Sequence, residues 1–276
     1  MQTAFRLVSL WPLWLLHSCG FALGWLAYLL SPTYRRRMHE HAKLAGYGAS
    51  VVRAAVAQAG KMAAELPRLW LGKSVPIFWG DTDCVDQAYQ SDKGVVFLTP
   101  HMGCFEVVAQ GLAQRYSAQH GPLTVLYRPA RQPGLTKVME ESRQRPGLET
   151  APTSLAGVRK MIKALRSGRA VGMLPDQVPP EGLGVWSPFF GKEAYTMTLA
   201  ARLVQQTGAV PLLCWGERLS FGRGFRLHFS PFVQTLNDDL NAAVAQINFE
   251  TERVISQRPE QYLWGYGRYK TPRVEA

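Results

Sequence analysis

Apolar and polar positions divide the chain into two unequal parts. From Arg6 to Arg35 no Asp, Glu, Lys or Arg interrupts a run dominated by Leu, Trp, Phe and Ala. The stretch from Leu7 to Leu30 is long enough to cross the hydrocarbon core of a bilayer as one helix. Trp11, Trp14, Trp25 and Tyr28 lie where aromatic belts form. Pro12, His17 and the Ser18–Cys19–Gly20 step interrupt the run, so a tilted or interfacial helix is the alternative. Residues 1–34 are therefore read as a membrane anchor, single-pass or peripheral, and 35–276 as the domain it carries. Arg35, Arg36 and Arg37 follow the run directly, and the positive-inside bias places that domain on the cytoplasmic side.

Beyond the anchor the period alternates between that of helix and that of strand. Val52, Val56 and Ala59 predict a helix over 50–71, and 75–79 reads as a short strand. Residues 94–99 read as a better strand: Val95 to Leu98 is a continuous apolar run, the pattern of a strand buried on both faces, and Pro100 and Gly103 then break the chain. Helices are expected over 105–116, 132–143, 155–166, 195–206 and 238–256, and strands over 123–127, 170–174, 209–215 and 225–229. Gly222 and Gly224 mark a turn that makes a hairpin of the last two strands. Strands alternating with helices predict an α/β fold, a mixed β-sheet flanked by helices. No repeat, P-loop, dinucleotide-binding fingerprint or G-x-S-x-G elbow is present.

Charge narrows the partners. Lys and Arg total 31 against 20 acids, a formal net charge of +11. Such an excess favours nucleic acid, anionic lipid or an acidic carrier protein. No recognised nucleic-acid module accompanies it, so a nucleic-acid partner is not expected. The four cysteines, Cys19, Cys84, Cys104 and Cys214, lie too far apart for a zinc cluster or a CxxC pair and are read as reduced. No metal or cofactor is implied.

The best candidate for chemistry follows the apolar strand: Pro100, His101, Met102, Gly103, Cys104, Phe105, Glu106. A neutral imidazole just beyond a buried strand can take a proton near pH 7. Glu106 in the first turn of the next helix can orient that ring and balance the imidazolium. The spacing alone is met by chance about as often as not, so a capping or core histidine competes with this reading. Cys104 offers a rival route as a nucleophile whose thiol His101 activates. Arg159, Lys163 and Arg166 recur at helical spacing, either as a docking face for acidic carrier protein or lipid phosphate or as a plain solvated face.

Context adds the rest. TPHMGCFE, LYRPARQP, Arg143, MLPDQ, SPFFG and PEQYLWGYGRYK occur in this order. Together they resemble the late acyltransferases of lipid A biosynthesis, the lauroyl and myristoyl transferase family, from about Leu7 to Arg273. The resemblance implies the glycerolipid acyltransferase fold, an inner-membrane location, an acyl-acyl carrier protein donor and a hydroxyl acceptor on a lipid A precursor. It makes His101 and Glu106 catalytic. It also points to Tyr127, Arg128, Arg143 and Asp176 for substrate binding. Asp176 positions an arginine or the acceptor, or simply caps a turn after Pro175. Relatives often carry His and an acid after the Pro–Asp pair, where this chain has Gln177 and Val178. They also often have bulkier or basic residues at Gly265, Tyr266 and Gly267. These departures bear on acceptor identity, which leaves another glycolipid or a lysophospholipid as alternatives. A noncatalytic basic membrane-surface protein would explain the charge and the anchor but not the ordered motifs.

Overall fold

A computed structural model describes residues 2–127 and 145–274. Its centre is a seven-stranded mixed sheet of order β1-β9-β8-β2-β5-β3-β4. The strands are β1 (Ile77–Trp79), β2 (Val95–Leu98), β3 (Leu123–Tyr127), β4 (Leu148–Pro152), β5 (Ala170–Met173), β8 (Val210–Arg218) and β9 (Phe225–Pro231). From β8 to β4 all neighbours are parallel. β9 reverses direction in an antiparallel hairpin with β8, and β1 adds to it in parallel. That hairpin is the one the glycines at 222 and 224 predict, and both take positive φ there.

Why β2 sits centrally is visible in its sequence. Val95 and Phe97 enter one apolar layer with Val107, Leu112 and Leu212. Val96 and Leu98 enter the other with Val52, Val171 and Leu213. Alternate residues of a strand point to opposite faces, so a strand apolar at every position needs cover on both. Cover comes from α4 (Ala49–Leu71), α6 (Phe105–His120), α7 (Leu155–Arg166) and α9 (Leu240–Ile255), with α5 (Asp83–Gln90) and α8 (Leu199–Thr207) between them.

Three expectations are corrected. Residues 195–197 are not helical: Lys192–Met197 is strand β7, paired antiparallel with β6 (Gly184–Phe189). Phe190 and Gly191, both at positive φ, supply the tight turn such a hairpin requires, and the helix starts only at Leu199. β4 also forms where no strand was expected. The apolar N-terminal run is not one helix; α1 (Gln2–Val8) and α2 (Leu13–Leu30) are separated at Pro12, the residue before α2. Proline has no N–H to donate and is tolerated at a helix start, not within one. The helix expected over 132–143 lies outside the described residues.

α2 is long and apolar enough to cross a membrane by length and composition. It is nevertheless fastened to the domain. Leu13, Leu16, His17, Gly20 and Gly24 form its buried face, and that face runs along α4. A Cβ on Gly60 would lie 2.0 Å from the Gly20 carbonyl oxygen, and one on Gly24 would lie 2.3 Å from that of Val56. The two backbones touch because three glycines leave no side chain between them. The opposite side of α2 is apolar and exposed at Trp14, Phe21, Leu23, Leu26, Leu29 and Leu30. α3 (Pro32–Leu44), with Arg35 to Arg37 on it, follows at once.

Candidate active site

Ligand sites in α/β sheets gather at the carboxyl ends of parallel strands, and the chemistry here does the same. β2 and β5 are paired in register, Leu98 opposite Met173. His101 lies three residues beyond Leu98 and Asp176 three beyond Met173, so the two adjacent strands deliver them to each other. The His101 Nδ1–Asp176 Oδ1 distance is 2.7 Å, and the backbone N–H of His101 donates to Asp176 Oδ2 at 2.9 Å. Asp176 accepts both bonds with its side chain 2% exposed, against 15% for His101. Burial alone would raise its pKa, but the charge of a protonated His101, then the bonds from His101 and the charge of Arg268, outweigh it and hold the carboxyl below its ordinary range.

An ionised Asp176 requires the proton on Nδ1 of the neutral ring. Nε2 then carries the lone pair, and it receives the Gln177 side-chain amide at 2.9 Å. Phe105 packs against the ring with centroids 5.1 Å apart. The ring-orienting contact expected of Glu106 is thus made by Asp176. Glu106 stands in the first turn of α6, and its charge favours the protonated form of Arg145 against the burial that disfavours it.

The loop carrying His101 is held from behind. Gly103 N–H donates to Gln261 O at 2.9 Å, Cys104 N–H to Gly216 O at 2.8 Å, and Leu263 N–H to His101 O at 3.1 Å. Gly103 has φ 56°, and a Cβ there would lie 2.0 Å from the Gly216 oxygen, so no other residue fits. Arg218 Nη2 donates to Gly103 O at 2.7 Å and to Glu65 Oε1 at 2.6 Å, while its Nε donates to Glu65 Oε2 at 2.7 Å. His17 of α2 meets the same carboxylate at 3.0 Å. Burial acts to raise the Glu65 pKa, yet Arg218 and His17 keep it lowered. The final motif supplies the remaining support. Tyr266 accepts from Val178 N–H, and buried Arg268 donates to Tyr195 O and Thr196 Oγ1.

The structure therefore unites His101 with Asp176, and places Tyr127, buried, at the carboxyl end of neighbouring β3. Arg128 and Arg143 lie outside the described residues. Sequence reasoning missed Gln177 as a contact of the ring, and Glu65, Arg218 and Gln261 as supports of the loop. Glu65 and Arg218 stand 153 positions apart, and no local pattern joins them. Cys104 is fully buried, and burial followed by the nearby Glu65 charge pushes its thiol well above the ordinary value. A narrow groove of about 80 Å³, lined by Phe97, Leu112, Leu123, Val125 and Gly172, runs between α6 and the sheet, with Thr99, Phe105 and Glu106 also in its wall.

A family profile described as bacterial lipid A biosynthesis acyltransferase matches residues 32–271. The chain belongs to this family. It is 29% identical over 199 residues to the lipid A biosynthesis palmitoleoyltransferase of Escherichia coli (strain K12), covering 70% of this chain and 62% of that protein. The lauroyltransferase of the same organism is 33% identical over 116 residues, 41% of this chain and 38% of its own. The myristoyltransferase is 25% identical over 213 residues, 75% and 63% respectively. The chain thus spans less than two thirds of the length of each of these curated relatives. The match to the profile covers both strands that carry His101 and Asp176.

Proposed function

We propose that the protein is an O-acyltransferase that moves a fatty acyl chain from acyl-acyl carrier protein to a hydroxyl of a lipid A precursor, on the cytoplasmic side of the inner membrane. The observation that carries this reading is the Asp176–His101 pair beside an apolar groove. A thioester is already activated, so the chemical need is a base for the acceptor hydroxyl. His101 Nε2 is that base. The hydroxyl takes the position of the Gln177 amide, gives its proton to Nε2, and its oxygen attacks the thioester carbon. Asp176 keeps the proton on Nδ1 and balances the imidazolium, as the acid of a catalytic triad does. The imidazolium then protonates the departing thiolate, which leaves the ring neutral.

The oxyanion of the intermediate needs fixed donors. The N–H groups of His101, Met102, Gly103 and Cys104 are all engaged elsewhere. That task falls to the positive end of α6 and to Arg143. Glu106 adds negative charge in the groove wall, where it complements the imidazolium, and Tyr127 and Arg128 contribute to substrate binding. The high pKa of the buried Cys104 thiol argues against an acyl-cysteine. Arg159, Lys163 and Arg166 are exposed and form no ion pair among the described residues, which suits an acidic carrier protein.

The test is the mass gained by purified lipid A precursor incubated with a panel of acyl-acyl carrier proteins. One acyl unit should be added, with a preferred chain length. Gly172 lines the groove, and a Cβ there would meet only ordinary contacts at 3.5 Å or more. Gly172→Leu should therefore shift the preference toward shorter chains, with overpacking costing about 1–3 kcal/mol of stability. Transfer to a lysophospholipid in place of the lipid A precursor would overturn the acceptor assignment.

A further inference from the structure

A second opening lies on the other side of the His101 loop. It is a cleft of about 1180 Å³ between the first half of α2, α4 and the β8–β9 turn, with Arg218 and Gln261 in its wall. We propose that this cleft seats the phosphate of an anionic bilayer phospholipid, with the lipid's chains along the exposed face of α2. The site is distinct from that of acyl transfer, because its walls share no residue with those of the apolar groove and His101 is not among them.

Charge is the first argument. Two of the five Lys and Arg residues in the wall are paired: Arg258 with Glu217 at 3.3 Å and Glu260 at 3.9 Å, and Arg218 with Glu65 behind the wall. Lys61, Arg223 and Arg226 remain, and none forms an ion pair among the described residues. Lys61 is half-buried, and burial, then the neighbouring Arg218, lower its pKa against the opposing charge of Glu65. A bound anion reverses both penalties, since an opposite charge favours the charged form. Phosphate is an anion whose several oxygens serve more than one Lys or Arg donor at once.

Apolar exposure separates a lipid from a free phosphate. Trp14 and Phe21 on this stretch of α2 are 57% and 50% exposed, and Phe221 at the tip of the turn is 90% exposed. Phe221 sits at φ 60°, a conformation that costs a bulky residue free energy. Next to it, a Cβ on Gly222 would lie 2.3 Å from the Trp14 backbone nitrogen. The turn is thus pressed against the start of α2 and presents an aromatic ring outward beside three cations that form no ion pair among the described residues. Interfacial protein segments combine apolar insertion with basic residues in this way.

Flotation of the full chain with vesicles tests this. Vesicles of phosphatidylcholine alone are compared with the same vesicles containing phosphatidylglycerol. The triple variant Lys61→Gln, Arg223→Gln, Arg226→Gln is compared with Arg159→Gln, Lys163→Gln, Arg166→Gln, which removes equal charge from α7. The phosphatidylglycerol-dependent gain in binding should fall on the order of tenfold or more in the cleft variant, and clearly less in the α7 variant. Inorganic phosphate at millimolar concentration should not compete. Acyl transfer by the cleft variant in neutral detergent should persist, which separates failure of this inference from failure of the transfer reading. Should the triple variant unfold, the exposed Arg223→Gln, Arg226→Gln pair decides by the same comparison. Equal loss in the cleft and α7 variants, no loss in the cleft variant, or displacement by inorganic phosphate overturns the proposal.

Discussion

At the scale of single residues the account turns on which acid serves His101. The sequence motif pairs it with Glu106, five positions on, whereas the register of β2 against β5 brings Asp176 from 75 positions away to 2.7 Å. His101 was legible because an apolar strand ends just before it. Asp176 was legible only as a recurring residue after Pro175, since pairing between parallel strands leaves no short-range signal. Asp176→Asn should lower kcat by roughly two to four orders of magnitude, because the amide cannot balance the imidazolium and favours the wrong tautomer. Its effect should be far from additive with His101→Ala, as expected for residues acting as one unit. A pH consequence follows from the lowered pKa of Asp176. A carboxyl held below its unfolded value adds stability at pH above that value and loses it as pH falls through the folded one. Between about pH 4 and pH 2 the melting temperature of Asp176→Asn should therefore fall less steeply than that of the wild type. Identical acid limbs would show that the carboxylate is not held in its charged form.

Elements were read well where burial made the pattern uniform and poorly where it did not. β2, β3 and α7 were expected within a residue or so of their observed bounds, while β6 and β7 were not seen as a hairpin. Pro188 lies within β6, and this two-stranded sheet consists of edges alone, where proline is tolerated. The α2–α4 contact was hidden for another reason. Gly20, Gly24 and Gly60 look like interruptions in a sequence but act as a meeting surface for two backbones. Gly60→Val should destabilise the fold by about 1–3 kcal/mol through overpacking, lowering the melting temperature by about 2–4 °C for each kcal/mol. An unchanged melting temperature would show that α2 does not lie on α4 in solution.

For the whole molecule, the packing of α2 decides how the protein meets the bilayer. α4, its neighbour, carries Arg53, Lys61, Glu65 and Arg68, which do not belong in hydrocarbon. If the helix stays fixed along α4, its outer face alone should be immersed, in the manner of an interfacial helix. Composition alone could not distinguish this from a span, because both need the same long apolar run. Nitroxide labels at Leu23→Cys, Leu26→Cys and Leu30→Cys, with Cys19 and Cys84 changed to Ser, measure the difference. All three should report similar shallow depths of about 5–10 Å. Depths that increase steadily along the helix across about 30 Å would mean that α2 leaves the domain and spans. The central claim, that this fold delivers a histidine base to an acyl transfer, has a more direct test. Purified wild type and His101→Ala, matched in melting temperature, are mixed with acyl-acyl carrier protein and lipid A precursor and followed by rapid quench and mass spectrometry. The account predicts one acyl unit gained by the lipid, no acyl group on the protein before product appears, and a rate loss of roughly two to four orders of magnitude in His101→Ala. A His101→Ala rate near that of the wild type, or an acyl group on Cys104 that forms before product, would contradict it.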